Sequence, residues 1–262
     1  MKRVIKVWIA GLVALSIGST AVNGAEVSTD ASLMKLIKFA MQERVLIQKA
    51  TKGYLYAGND IATTKAQKEM KGALKKFDAK LKTLNSSIND AKMKNLFIFI
   101  QSNREEIGDL LKEAYSLENA QEIIDLAEAI TEGELSIAKK LIKKLKGEPP
   151  VFKGQRYFLV QVAKYYIAYT SGIKDKNTVK SMNKAVKRLG ELIEEMKAYH
   201  GNTPEMNQNM AKVEKDWKIV HKFYMDIEDG DLPLIVYDTT SKMDKLFFKY
   251  FQGYLKVRVN KK

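Results

Sequence analysis

Apolar residues recur three and four positions apart along nearly the whole chain, which is the periodicity of amphipathic α-helices. The recurrence predicts eight helices, and no segment convincingly shows the strict alternation of a half-buried strand. The predicted helices cover residues 31–57, 62–86, 90–114, 119–146, 152–171, 176–199, 204–226 and 233–257. The pattern therefore predicts an all-α protein.

Turn residues interrupt the periodicity between the predicted helices. They are Gly58-Asn59-Asp60, Asn85, Pro149-Pro150, Gly172, Gly201 with Pro204, and Gly230 with Pro233. Thr64 and Gln67 have the spacing of a capping box, and Thr203 followed by Pro204 predicts an N-cap with proline at the first helical position. Short loops between long helices predict antiparallel neighbours.

An internal repeat appears when the sequence is shifted by 112 residues. Without a gap, the shift places Arg44 on Arg156, Lys52 on Lys164, Tyr54 on Tyr166, Met70 on Met182, Ala73 on Ala185 and Lys75 on Lys187. Two unrelated amphipathic helices would share apolar positions, but not also the arginine, the lysines and the tyrosine. The repeat therefore indicates a duplication.

The duplication predicts two tandem up-down-up-down four-helix bundles that together form a pseudo-dimer. The first copy covers residues 30–151 and the second covers residues 152–257, with the joint at residues 146–150. An even number of antiparallel helices returns the chain to its starting end. The first helices of the two copies are therefore expected to lie side by side and run parallel.

The N-terminal residues 1–25 have the order of charges and apolar residues of a secretory signal peptide. Lys2, Arg3 and Lys6 precede an apolar run over residues 7–22 that ends in small residues. The alternative is an uncleaved anchor helix, but the run is short and broken by polar and glycine residues, and it falls below the length of a membrane-spanning helix. We expect a periplasmic protein without stable membrane insertion after cleavage.

The chain carries a net charge of +14, from 45 basic and 31 acidic residues. Removal of the leader takes away three basic residues and no acidic one, which leaves an excess of +11. Nucleic acid is not expected as a partner, because an exported chain seldom meets it and the lysines are spread along helix faces. A small anion, an anionic membrane surface or an acidic protein fits this charge better.

Residues typical of catalysis or metal binding are scarce. The chain has no cysteine, and His200 and His221 lack a second histidine at metal-ligand spacing. No glycine-rich phosphate loop follows a strand. We therefore expect neither an enzyme nor a protein with a metal ion or cofactor.

One arginine in each copy interrupts an otherwise apolar helical stripe. Arg44 lies in line with Ala40 and Ile47, and Arg156 lies in line with Leu159 and Ala163. A buried guanidinium needs a counter-charge, but neither helix has a carboxylate three or four residues away from its arginine. Either a carboxylate from another helix forms a structural ion pair with each arginine, or the two arginines converge on a bound planar oxyanion.

The segment around Arg44 resembles a known family. Residues 43–52 read Glu-Arg-Val-Leu-Ile-Gln-Lys-Ala-Thr-Lys, and the second copy keeps Gln155-Arg156 and Ala163-Lys164. This is similar to the signature that opens the periplasmic four-helix sensor module of nitrate/nitrite sensor kinases and type IV pilus methyl-accepting chemotaxis transducers. Val160 departs from the family pattern, which has a glutamine there.

The resemblance implies that Arg44 and Arg156 clasp one nitrate or nitrite ion, with Gln48 as a lining residue. Lys52 and Lys164 lie eight residues further along their helices, about 12 Å away at 1.5 Å per residue. They are too far away to touch the same small anion. We expect these lysines to raise the local potential or to lie in solvent.

The resemblance further implies a sensory protein that reports to a membrane-bound sensor kinase or chemotaxis transducer. The last helix carries Phe247, Tyr250, Phe251 and Tyr254, which either pack in the core or form a docking face for that partner. A non-sensing helical interaction or adaptor protein with structural arginines is the alternative function. A chaperone-like envelope protein is a third possibility.

Overall fold

The computed structural model describes residues 30–146, 154–225, 227 and 232–259, with side chains described as far as Tyr254. Eight α-helices and no strand occupy these ranges, as the apolar periodicity predicts. The helices are α1 (Asp30–Gly58), α2 (Thr63–Ser87), α3 (Ala91–Leu110), α4 (Leu117–Ile142), α5 (Gln155–Thr170), α6 (Lys176–Lys197), α7 (Pro204–Met225) and α8 (Pro233–Val259).

Two predicted features lie outside the described residues, namely the signal peptide over residues 1–25 and the Pro149-Pro150 joint. Within the described ranges, no helix has the length and apolar character required to cross a membrane.

Side-chain caps explain where several helices begin. Asp90, Ser116 and Asp175 accept hydrogen bonds from backbone N–H groups in the first turns of α3, α4 and α6. Pro204 starts α7 as predicted, and the Thr203 hydroxyl accepts from the Met206 N–H. These contacts satisfy N–H groups that have no partner within the helix.

The predicted range of α2, residues 62–86, differs from the observed helix by one residue at each end. The helix begins at Thr63 rather than with a capping box at Thr64, and its N-cap is Ala62 in the left-handed conformation with φ of 50°. It continues past Asn85 to Ser87. Asn85 therefore does not end α2, because an asparagine tolerates the last turn of a helix.

α1 lies at the centre of the fold and packs against α2, α4 and α5. α5 also packs against α6 and α8, and α7 packs against α8. Gly53 permits the close approach of α1 to α2, since a Cβ atom there would lie 2.7 Å from the Ala66 carbonyl oxygen. We call the contact between α1 and α5 the central seam.

Contacts across the central seam show that α1 and α5 run parallel. Arg44 lies against the ring of Tyr157 near the start of α5. Gln48, four residues further along α1, and Lys164, seven residues further along α5, both donate to Glu128 Oε1. The helix starts also recur along the sequence, since α6, α7 and α8 begin 113, 113 and 116 residues after α2, α3 and α4.

Candidate functional site

Arg156 forms an ion pair with a carboxylate from another helix, as one of the two interpretations of the sequence proposed. Its Nε and Nη2 donate to the two oxygens of Asp244 on α8 at 2.6 and 2.9 Å. Lys49 Nζ on α1 binds the same carboxylate at 2.5 Å. Burial acts to raise the pKa of Asp244, but hydrogen bonding to Arg156 and the charge of Lys49 outweigh it and hold the pKa well below its ordinary value.

Arg44 has different surroundings from its counterpart. Its side chain is buried, and its guanidinium carbon lies 4.3 Å from the centre of the Tyr157 ring. This is cation–π geometry. Its Nη1 contacts the Met41 sulfur at 3.8 Å, and its Nε has no hydrogen-bond partner among the described residues. A shared anion between Arg44 and Arg156 stays a prediction, and Arg156 would have to exchange Asp244 for it.

Gln48 does lie in a polar site, but its amide group faces α4. Its Nε2 donates to Glu128 Oε1 and to the Thr131 hydroxyl, both at 3.0 Å. Glu128 Oε1 also accepts from Lys164 Nζ at 2.5 Å and from the Tyr165 hydroxyl at 2.9 Å. Glu128 therefore joins α1, α4 and α5 through a set of buried donors.

Lys52 and Lys164 do not lie in solvent, which was one of the two places expected for them; that they raise the local potential stays a prediction. Lys52 is 3% exposed and binds Glu69 on α2 at 2.8 Å. Lys164 is fully buried against Glu128, which lies on α4. Burial acts to lower the pKa of Lys164, which makes its ion pair with Glu128 necessary to keep it charged. The partners come from other helices, so the spacing of charges within one helix could not reveal them.

Glu128 and Asp244 occupy equivalent places in their helices. Each is the twelfth residue, counted from Leu117 in α4 and from Pro233 in α8. Each carboxylate contacts a side chain of α1 and a side chain of α5. The two helices thus bring one bridging carboxylate each to the central seam. In the sequence, only the equal distance of the two carboxylates from their helix starts indicates this equivalence. The ungapped 112-residue shift does not, because Glu128 and Asp244 are 116 residues apart.

A cavity of about 410 Å³ opens beside Asp244 between α1, α2, α5 and α8. Its lining consists of Lys49, Lys52, Lys65, Lys68, Glu69, Leu159, Val160, Ala163, Thr240, Ser241, Asp244 and Lys245. We call it the basic cavity, because five lysines and two acidic residues line it. The apolar wall comes from α5 and includes Val160, the position where the sequence departs from the family resemblance.

Three cavity lysines already have carboxylate partners. Lys49, Lys52 and Lys65 pair with Asp244, Glu69 and Asp238, respectively. Lys68 and Lys245 are exposed, and no carboxylate in the described part of the chain pairs with either. The cavity therefore keeps an excess of positive charge, which attracts anions.

A pair of ionisable residues that the sequence analysis did not single out lies between α1 and α4. Glu43 and Glu134 are both 0% exposed, and no donor in the described part of the chain reaches any of their four carboxyl oxygens. The two groups lie close enough for each to act on the pKa of the other. Burial raises the pKa of both. A sequence signal existed, because Glu134 interrupts an apolar stripe that includes Ile130 and Ile137.

The predicted docking residues of α8 do not share one surface. Phe247 and Tyr250 are buried, and the Tyr250 hydroxyl donates to Asn202 Oδ1 at 2.7 Å. These two residues pack in the core, because α8 covers α5 and α7 with that face. The prediction that Phe247 and Tyr250 belong to a docking face is therefore wrong. Phe251 and Tyr254 are half-buried, and Tyr254 packs against the ring of Tyr199.

Comparisons of the chain with protein-family models, with curated proteins and with solved structures found no match.

Proposed function

We propose that this chain is an exported anion-binding sensory protein that takes a small oxyanion in the basic cavity. The observation that carries the proposal is the charge of the lining, five lysines against two carboxylates between α1, α2, α5 and α8. Ammonium groups bind oxyanions through charge-assisted hydrogen bonds, and the low dielectric beside an apolar wall strengthens that attraction.

Nitrate and nitrite are the first candidate ligands, as the family resemblance implies. Asp244 supports a planar oxyanion as the ligand class, because its carboxylate already lies between Lys49 and Arg156. A nitrate ion has a similar planar arrangement of oxygens. The proposed site thus lies next to the predicted arginine site, with lysines rather than Arg44 as the main cationic groups.

The sensory part of the proposal rests on a duplicated module. We interpret the chain as two tandem four-helix bundles that form a pseudo-dimer. The parallel course of α1 and α5 and the recurrence of helix starts support this interpretation. An anion that binds better to one arrangement of α1, α2, α5 and α8 shifts the population toward it.

A membrane-bound sensor kinase or chemotaxis transducer is the proposed reader of that shift. Phe251 and Tyr254, which are only half-buried near the end of the described side chains, are the remaining candidates for docking.

Calorimetric titration with nitrate, nitrite, sulfate and chloride tests the site. The double substitution Lys68→Ala with Lys245→Ala removes the two lining ammonium groups that lack a carboxylate partner. We expect it to lower anion affinity by about tenfold or more, because a hydrogen bond to a charged group contributes about 1.5–3 kcal/mol. The melting temperature without anion should remain nearly unchanged.

Lys75→Ala with Lys249→Ala is the matched control. It removes two exposed lysines from the same two helices, and neither lines the cavity. Equal loss of affinity in both double variants would mean that overall charge, rather than the cavity, attracts the anion. If none of the four anions binds the unaltered protein at millimolar concentration, the proposal fails.

The Arg156–Asp244 ion pair favours one alternative, a helical interaction protein in which the arginines are structural. In that case the basic cavity faces an acidic segment of a partner protein. A short peptide rich in aspartate and glutamate would then bind more tightly than any of the four small anions.

A further inference from the structure

The contact between α1 and α4 contains an ionisable site that the proposed anion site does not use. Glu43 and Glu134 meet there without access to solvent. None of their four carboxyl oxygens accepts a hydrogen bond from an N–H group or hydroxyl of the other described residues. Ionising both groups would bury two negative charges that no donor stabilises, which is costly. A proton shared between the two carboxyl groups supplies the missing donor.

The charged groups around the pair are too few to stabilise two carboxylates. α1 contributes Arg44, whose charge acts on Glu134, and α2 contributes Lys80, whose charge acts on Glu43. From α3, Ile100 packs against Gly133 next to Glu134, and it is apolar. From α5, the Tyr157 ring lies against Arg44.

Burial is the main cause of the pKa shifts of the pair. It raises the pKa of Glu43, and the charge and hydrogen bond of Glu134 raise it further, while Lys80 opposes the shift. Burial also raises the pKa of Glu134, to about 7, although the hydrogen bond from Glu43 and the charge of Arg44 oppose it. When both carboxyl groups are protonated, the first proton therefore leaves the pair near neutral pH, and the other proton stays bound to higher pH.

We infer that Glu43 and Glu134 form a proton-binding site that holds α1 against α4 while both carboxyl groups are protonated. Loss of a proton places an incompletely compensated negative charge in an apolar contact, which is costly. The contact between the two helices is then weakened. The ligand of this site is the proton, so the inference stands whether or not the basic cavity binds an anion.

The position of α1 also links the pair to the basic cavity. Lys49 and Lys52 lie six and nine residues after Glu43 on the same helix, about 9 and 13.5 Å along it. A change in the packing of α1 on α4 moves these two ammonium groups. Proton binding and anion binding would therefore influence each other if both occur.

The second half of the chain lacks this site at the equivalent position. The 112-residue shift places Gln155 on Glu43, and Gln155 is buried at 9% exposure. The chain therefore accommodates a glutamine at an equivalent buried place, which makes glutamine a suitable replacement for a test.

The pH dependence of stability is the first test. Since the pKa of Glu134 is raised from an ordinary 4.5 to about 7 in the folded state, the folded protein binds more protons than the unfolded chain within that range. The stability contributed by Glu134 is fully present below about pH 4.5 and is lost as the pH rises through about 7. The pKa of Glu43 is raised as well, so Glu43 adds to the loss over this range and above it. One extra bound proton changes the unfolding constant by about tenfold per pH unit.

Chemical unfolding at pH 5, 6, 7 and 8 measures this slope for the unaltered protein and for Glu43→Gln with Glu134→Gln. Two amides can hydrogen-bond to each other and do not titrate. We therefore expect the unfolding constant of the double variant to depend less steeply on pH, by about tenfold per pH unit for each extra proton that the folded pair binds. Glu132→Gln, an exposed carboxylate on α4, should keep the dependence of the unaltered protein. An unchanged slope in the double variant would overturn the inference.

Infrared spectroscopy of the folded, unaltered protein in heavy water gives a second readout that needs no stable variant. A protonated carboxyl group has a carbonyl stretching band distinct from that of a carboxylate. We expect this band to persist at pH 7, and to decrease in the double variant but not in Glu132→Gln. Absence of the band from the unaltered protein at pH 7 would also overturn the inference.

Discussion

The two sides of the central seam place a carboxylate at the same position of α4 and of α8, yet they surround it differently. On the α4 side, Glu128 accepts hydrogen bonds from Gln48, Lys164 and Tyr165. On the α8 side, Asp244 binds two cations, Lys49 and Arg156, and borders a cavity with further lysines. A similar backbone placement therefore gives a packed polar contact on one side and an open, positively charged one on the other.

The difference follows from the side chains that α1 and α5 present. Toward α4 they contribute mostly neutral donors and one fully buried ammonium, so a single carboxylate satisfies the charge. Toward α8, the two side chains that bind Asp244 are both cations, and α2 adds lysines to the cavity beside it. At Glu128 the α4 side contributes to stability, because the carboxylate compensates the buried charge of Lys164. At Asp244 the α8 side keeps an excess of positive charge, which attracts anions.

The largest effect is expected from Glu128→Ala on the α4 side. The substitution leaves the fully buried ammonium of Lys164 without its carboxylate partner. We expect the free energy of unfolding to fall by about 3–5 kcal/mol, the usual cost of breaking a buried ion pair by removal of one partner. Urea unfolding at neutral pH measures this loss.

Glu132→Ala is the control on the same helix, since that carboxylate is exposed and should change stability by no more than about 0.5 kcal/mol. A loss below about 1 kcal/mol for Glu128→Ala would show that Lys164 finds another partner or becomes neutral without penalty. The carboxylate on the α4 side would then contribute no more to stability than the one on the α8 side.

Asp244→Ala on the α8 side is expected to cost less, about 1–2 kcal/mol. The side chains of Lys49 and Arg156 are 17% and 31% exposed, so water partly replaces the lost carboxylate. The substitution also frees two cations for an external anion. Thermal unfolding should therefore show that nitrate or formate raises the melting temperature more in Asp244→Ala than in the unaltered protein.

Asp244→Asn serves as the comparison, because it removes the charge but keeps most of the volume. If added anions stabilise neither variant beyond the unaltered protein, the cations beside Asp244 do not form an anion site.

The smallest effect is expected from Lys65→Ala at the rim of the basic cavity. Lys65 and its partner Asp238 are 71% and 54% exposed, and exposed ion pairs contribute little. Urea unfolding should show a change within about 0.5 kcal/mol. A loss near that of Asp244→Ala would contradict the distinction between the rim and the interior of the cavity.

Helix positions were largely predictable from the sequence, whereas the surroundings of each charge were not. The periodicity around Ile47 and Leu159 placed α1 and α5 correctly, because burial of an apolar face is a local pattern. The same reasoning allowed Lys52 and Lys164 to lie in solvent, although both are buried. It assigned equivalent roles to Arg44 and Arg156, yet one lies against an aromatic ring and the other against a carboxylate.

The sequence by itself determined the all-α character, the approximate helix bounds and the excess of positive charge. These depend on residue type and spacing within single helices. Tertiary structure alone decided that Glu128 and Asp244 meet the central seam, that Glu43 faces Glu134, and that five lysines surround one cavity. Such pairings join residues about 30 to 200 positions apart, and they depend on which helix faces pack together.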